Sequence, residues 1–296
     1  MGAPGHHVAL SPPRSFFDNG LYRHFKSENM IRLLSQTVES LPEEFGFRDG
    51  QKGVHNTRTM MLSDLETLLR ELPPEATKKD YKEAIVEKNV LAKSTDSTRR
   101  YNAQRLSELY GLDPDIPLFR IFRSYWETGE RGRPLLALLL ALARDPILRL
   151  TSEPVLDMEV GERFDKTDLQ EVLREHTGDR FSETSIKKIS RMTGSSWTQG
   201  GVLEGRQKKT RQRPDCAPVS TAYALVLGHL CGVRGELLFD TFWTRVLGAS
   251  AHDLHDYAQT ASRRSLLTYR NAGGIVEVDI EPALTTKEQE LLREQN

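Results

Sequence analysis

The sequence predicts a mainly α protein, with an N-terminal helical bundle followed by winged helix-turn-helix-like units that carry short β-hairpins. Three observations predict it. Apolar residues recur at helical spacing through the first half, where no convincing period-two strand occurs. A nine-residue apolar run, Leu135–Ala143, supplies that half with a core helix. Beyond Thr151, short helical patterns alternate with turn residues and give way to glycine-rich extended segments.

Residues 1–20 are rich in Gly and Pro and read as a flexible, extended lead-in. A helical bundle is expected over 21–150. Asn29–Leu34 opens an amphipathic helix, and residues 46–58, with three glycines and no periodicity, form a loop. Ser63 is placed to cap Asp64–Glu71, where Leu62, Leu65, Leu68, Leu69 and Leu72 fall at helical spacing until Pro73-Pro74 stops the helix. The next helix runs from Lys78 to Val90 on an apolar face of Tyr81, Ile85 and Val86. Ser94–Arg100 offers several caps to a helix over Tyr101–Tyr110, with Leu106, Leu109 and Tyr110 inward. Pro117–Thr128 and Pro134–Arg144 each begin with proline, which suits a first helical position.

A winged-helix-like region is expected over 151–280. Asp165 and Thr167 precede the helix Asp168–His176, which Gly178 breaks. Ser182 caps Glu183–Met192, and after Gly194 the segment Ser195–Leu203 is expected to turn and become extended. Helix, helix, turn and short strand is the order a winged helix-turn-helix requires. The pattern then recurs, with helices over Val219–Gly232, Leu237–Leu247 and Ala251–Leu266. A strand, Gly-Gly turn and strand follow over Thr268–Ile280. Residues 281–296 form a charged tail with a short helix from Thr285.

Composition narrows the function. The chain has 296 residues, 38% hydrophobic and 28% charged, which is globular and suits two packed domains. With 41 basic and 42 acidic residues the net charge is −1, so no global field draws it to nucleic acid or membrane. Cys216 and Cys231 make no disulfide framework, and with no secretory signal they point to a cytoplasmic protein. The apolar run is less than half the ~20 residues a membrane span needs. No phosphate-binding glycine loop, zinc-protease motif or nucleophile elbow occurs. His6-His7 has no companion ligands, and His252 and His255, three apart beside Asp253 and Asp256, are of a type that could hold a metal but read first as a polar helix start. The expectation is no enzyme, no metal and no cofactor.

Charge is concentrated in one place. From Arg180 to Arg213 there are nine basic and two acidic residues, a local net of +7. Lys187, Lys188 and Arg191 share an exposed arc of the second helix, with Ile186, Ile189 and Met192 inward. Ser195 and Ser196, with Ser185, Ser190 and Thr193, are hydrogen-bond donors to phosphate. Arg206, Lys208, Lys209, Arg211 and Arg213 follow the expected strand, where a wing or arm tracks a nucleic-acid backbone. Arg99 and Arg100, with Lys93 and Arg105, offer a second phosphate contact. Trp197 either stacks on a sugar or base or plugs the core. Arg263, Arg264 and Arg270 flank the second hairpin, whose Glu277 and Asp279 repel phosphate, so it reads as structural.

The stretch Ala84–Arg100, with its Glu87-Lys88-Asn89-Val90-Leu91 turn, followed by Leu106-Ser107-Glu108-Leu109-Tyr110, resembles the BrxA family of BREX bacteriophage-exclusion systems. Ser195–Gly201 and the hairpin Leu267–Ile280 look like the distal part of that family, so the resemblance spans roughly residues 78–280 and leaves 1–60 without a counterpart. It implies a small, mainly helical, non-catalytic accessory protein that binds double-stranded DNA beside a methyltransferase and an ATPase. The residues and the resemblance together point to duplex DNA held mainly by its backbone. The alternatives are a structural adaptor that uses its winged-helix units for protein contacts, and a transcriptional repressor, which needs palindromic sites and usually a dimer.

Overall fold

The computed structural model describes residues 41–50 and 52–294. The lead-in over 1–20 and the helix expected at Asn29–Leu34 lie outside the described residues. The described chain is mainly helical, with two small antiparallel sheets of two strands each.

The first helices follow the leucine and aromatic spacing, and their ends follow the caps. Helix α1 covers Leu62–Glu71 and buries Leu65, Leu68 and Leu69. Its N-cap is Met61 in the left-handed region, not Ser63, because the Leu62 N–H donates to Gln199 Oε1 at 3.0 Å instead. Helix α2, Lys78–Val86, opens on a reciprocal Thr77–Asp80 capping box and stops short of Val90, where Asn89 and Ala92 turn the chain with φ of 51° each. Helix α3, Asp96–Tyr110, starts earlier than Tyr101 because Thr95 caps it. Helix α4, Pro117–Glu127, buries Leu118, Phe119, Ile121, Phe122, Tyr125 and Trp126. Helix α5, Arg133–Arg144, is buried at every position from Leu135 onward, as its unbroken apolar run requires.

Helices α6 (Pro146–Leu150) and α7 (Ser152–Leu156) lead to α8, Lys166–Thr177, capped by Asp165 and followed by Gly178. Helix α9 covers Glu183–Gln199 and is capped by Ser182. The turn expected after Gly194 is absent. Ile186, Ile189, Thr193, Ser196 and Trp197 are buried at helical spacing, and the face of Gly194 lies against the Phe164 ring, so this glycine admits a neighbour and does not break the helix. Strands β1 (Leu203–Glu204) and β2 (Thr210–Arg211) then pair antiparallel. A turn at Gly161 brings residues 161–164 alongside β2 through an isolated bridge between Arg163 and Thr210: Gly161 N–H donates to Arg211 O (2.8 Å), Arg211 N–H to Glu162 O (2.9 Å) and Phe164 N–H to Lys209 O (2.9 Å).

Helix α10, Pro218–Leu230, is buried throughout from Val219. The helix expected over Leu237–Leu247 is divided. Gly235–Asp240 is a 3-10 turn, and Thr241 caps a separate helix α11, Phe242–Val246. Helix α12, Ala251–Arg263, follows its Ser250 cap and leads to β3 (Thr268–Ala272) and β4 (Ile275–Asp279). Gly273 and Gly274, with φ of 60° and 80°, close that hairpin. Helix α13 covers Thr286–Glu294.

One buried cluster runs from Leu41 to Leu284 and holds α5, α10, Trp197 and Leu203 together. A smaller one, Ile147, Leu173, Ile186 and Ile189, lies under α8 and α9. Among the described residues no helix is long and apolar enough to cross a membrane, and both cysteines are buried and free.

Candidate nucleic-acid interface

Ile186 and Ile189 fix the roll of α9 by burying its inner face, so Lys187, Lys188 and Arg191 come out exposed, as their spacing predicts. Met192 is half-buried. Glu183, the acid at the start of α9, is held by Arg174 through bonds of 2.9 and 3.0 Å. That bond holds the Glu183 carboxyl below its ordinary range. Among the described residues no carboxylate lies within 4 Å of Lys187, Lys188, Arg191, Arg206, Lys208 or Arg213, and all six are exposed.

The β1–β2 turn needs Gly205, whose φ is 96° and whose added Cβ would collide with the Lys208 carbonyl oxygen. It presents Arg206 and Lys208 to solvent. Lys209 turns inward: its Nζ donates to Thr198 Oγ1 (2.7 Å) and Gly205 O (3.2 Å), and burial pushes its pKa down. Antiparallel pairing sets Arg163, exposed, opposite Thr210, and Lys166 opens α8 nearby in the chain. The sequence reading missed both, because the pairing of 163 with 210 joins residues far apart in the chain.

Besides Lys209, three of the expected contact residues serve the fold instead. Arg211 is 6% exposed, and its guanidinium donates to the carbonyls of Val202 and Gln212. Ser196 is buried. Arg99 Nη1 donates to Val86 O at 2.7 Å and braces the corner between α2 and α3, whereas Arg100 stays exposed and pairs within α3 with Asp96 at 2.8 Å. Of the remaining hydroxyls, Ser190 and Thr193 are buried against carbonyls of their own helix, while Ser195 and Ser185 are half-buried. Trp197 belongs to the core, with its indole N–H donating to Thr151 Oγ1 at 3.2 Å. No family model and no curated protein matches the chain.

The sequence reading also missed a buried trio. His55 Nδ1–H donates to Asp145 Oδ2 (2.9 Å), and His55 Nε2 lies 2.8 Å from Ser196 Oγ. Its connectivity is that of a charge relay, but its surroundings make it a clamp. All three side chains are buried, and Ser196 Oγ also accepts the Met60 N–H (2.8 Å) and faces Met192 O (3.1 Å). Asp145 further accepts the N–H groups of Val54 (2.5 Å), His55 (3.2 Å) and Leu148 (3.0 Å). Burial alone would raise the Asp145 pKa, yet the His55 charge and these bonds outweigh it and hold the carboxyl below its ordinary value. Gly53 is required beside it, since a Cβ there would collide with Oδ1. The clamp ties the glycine-rich loop, the end of α5 and the last turn of α9 together.

His252 and His255 do not converge. His255 stacks on Phe239 (ring centroids 4.0 Å apart) and meets Tyr269 Oη (2.9 Å) and Glu236 (3.2 Å), while His252 reaches only Asp256 at 3.5 Å. Among the described residues no cluster of three or more His, Cys, Asp or Glu could hold a metal.

Proposed function

We propose that this chain is a non-catalytic, cytoplasmic DNA-binding accessory protein of a bacterial antiphage, BREX-like defence system, acting on double-stranded DNA beside a methyltransferase and an ATPase. The observation that carries the reading is the unit made by residues 161–164, α8, α9 and the β1–β2 hairpin. It has the helix, helix, hairpin order found in a winged helix, preceded by a segment that bridges to β2, and at Arg163, Lys166, Lys187, Lys188, Arg191, Arg206 and Lys208 it carries exposed basic side chains without an ion pair among the described residues. The N-terminal half of α9 suits a major groove, and the Gly205–Lys209 turn suits the neighbouring backbone. Lysine and arginine ends on that arc favour phosphate contacts over base reading.

The test is fluorescence anisotropy with a random-sequence duplex at two salt concentrations around the physiological value. Micromolar, steeply salt-dependent binding is expected. Neutralising Lys187, Lys188 and Arg191 together should weaken it and flatten the log–log salt slope by about 0.9 per lost phosphate contact. An unchanged slope and affinity overturn the assignment.

A second reading, a structural adaptor, is favoured by Leu237 and Ile275, which are 71% and 76% exposed beside and on the second hairpin. It predicts salt-insensitive co-purification with a larger partner, lost when Ile275 becomes serine.

A further inference from the structure

Among the arginines the fold buries, Arg123 and Arg149 each reach a carboxylate, Glu127 and Asp49, and Arg211 donates to two carbonyls. Arg144 has less. It is 7% exposed, its Nη1 donates to Gly46 O, its Nε has no partner, and no carboxylate of the described residues lies within 4 Å. Burial, and after it the nearby Arg48 charge, pushes its pKa down to about 10. Its place at the C-terminal end of α5 supplies only a partial negative charge. An unpaired buried cation is costly, and such a group facing a cavity marks a place where a ligand completes the charge balance.

Arg144 lines such a cavity. It has a volume of about 340 Å³, within the range of small-molecule sites, and its other charged walls are Arg48, Glu43, Glu44, Asp49 and Asp115. Asp49 is already engaged by Arg149. Glu43, Glu44 and Asp115 are exposed and have no ion pair among the described residues. The lining thus combines a buried guanidinium, Arg144, and the half-buried Arg48 with three carboxylates that have no ion pair among the described residues.

We propose that this cavity binds a small zwitterion of the α-amino-acid class, with its carboxylate on Arg144 and its ammonium among Glu43, Glu44 and Asp115. A guanidinium matches a carboxylate in shape as well as charge. A bare oxyanion such as phosphate satisfies Arg144 and Arg48 but leaves the three carboxylates beside it without a counter-charge. A bare cation leaves Arg144 as it was. Only a ligand carrying both signs satisfies both sets of groups, and the three carboxylates favour a basic side chain.

The test is calorimetric titration of the full chain with L-lysine, L-arginine and glycine, against acetate, ethylammonium and inorganic phosphate. The basic amino acids should bind and raise the melting temperature, while acetate and ethylammonium should not. Arg144→Gln should weaken lysine binding by about ten- to a hundredfold, the scale of losing hydrogen bonds to a charged group. If that variant fails to fold, the exposed double variant Glu44→Gln/Asp115→Asn should weaken it instead. Phosphate or acetate binding as tightly as lysine overturns the proposal. So does the absence of amino-acid binding, or a lysine affinity that neither change moves.

Discussion

Asp145 shows how one side chain governs a junction. It gathers His55 and three backbone N–H groups, one of them Leu148 at the start of α6, around two carboxylate oxygens, all without solvent. Removing one partner of such a pair leaves a buried charge or orphaned donors, so His55→Ala should cost about 3–5 kcal/mol in urea unfolding. The pH dependence follows from the depressed pKa of Asp145. Its stabilisation is fully present above its ordinary value of 3.8 and is lost as pH falls through the lower folded value. The stability gap between wild type and Asp145→Asn should therefore be wide at pH 7 and narrow below about pH 4. A gap constant from pH 7 to pH 3 would show that the carboxylate charge is not what stabilises the clamp. Arg211 makes the same point beside the proposed interface. Buried on two carbonyls, it should cost stability when changed to alanine while leaving the salt slope of DNA binding unchanged, whereas Lys208→Gln should do the reverse.

Helix α9 shows what is legible in a sequence and what is not. Its cap and inner face were readable, because Ser182 precedes an apolar pattern and Ile186 and Ile189 recur at helical spacing. Its end was not. Gly194-Ser195-Ser196 carries the composition of a turn, yet Thr193, Ser196 and Trp197 continue the buried stripe, and Phe164 from another segment occupies the space beside Gly194. Local propensity lost to tertiary packing. The same cause explains the missed partners: His55, Asp145 and Arg163 reach the site through contacts between residues distant in sequence. The hairpin over Thr268–Asp279 was readable because Gly273-Gly274 states its turn directly. The element-scale prediction concerns the first hairpin turn. Gly205→Ala forces its Cβ against the Lys208 carbonyl, so it should displace Arg206 and Lys208 and weaken DNA binding while far-UV circular dichroism stays the same. Wild-type affinity in that variant would show that the turn geometry does not matter to binding.

At the scale of the molecule, α5 sits where the two halves of the chain meet. It packs on α3 and α4 from the first half and on α9, α10 and α11 from the second. Its residues from Leu135 to Arg144 are all buried, so neither half alone can cover it. Gly200 at the end of α9 lies so close to Leu138 that an added Cβ would collide with that side chain. Two consequences are measurable. Fluorescence of Trp126, Trp197 and Trp243, all buried, should report the same urea midpoint as far-UV circular dichroism, because the residues they touch belong to one cluster. A chain ending at Leu150 would leave the α10-facing side of α5 exposed as a contiguous apolar surface, which makes it prone to association. That fragment should therefore be insoluble or lack a cooperative transition, and a monomeric fragment with a sharp melting transition would show that the first half is self-sufficient.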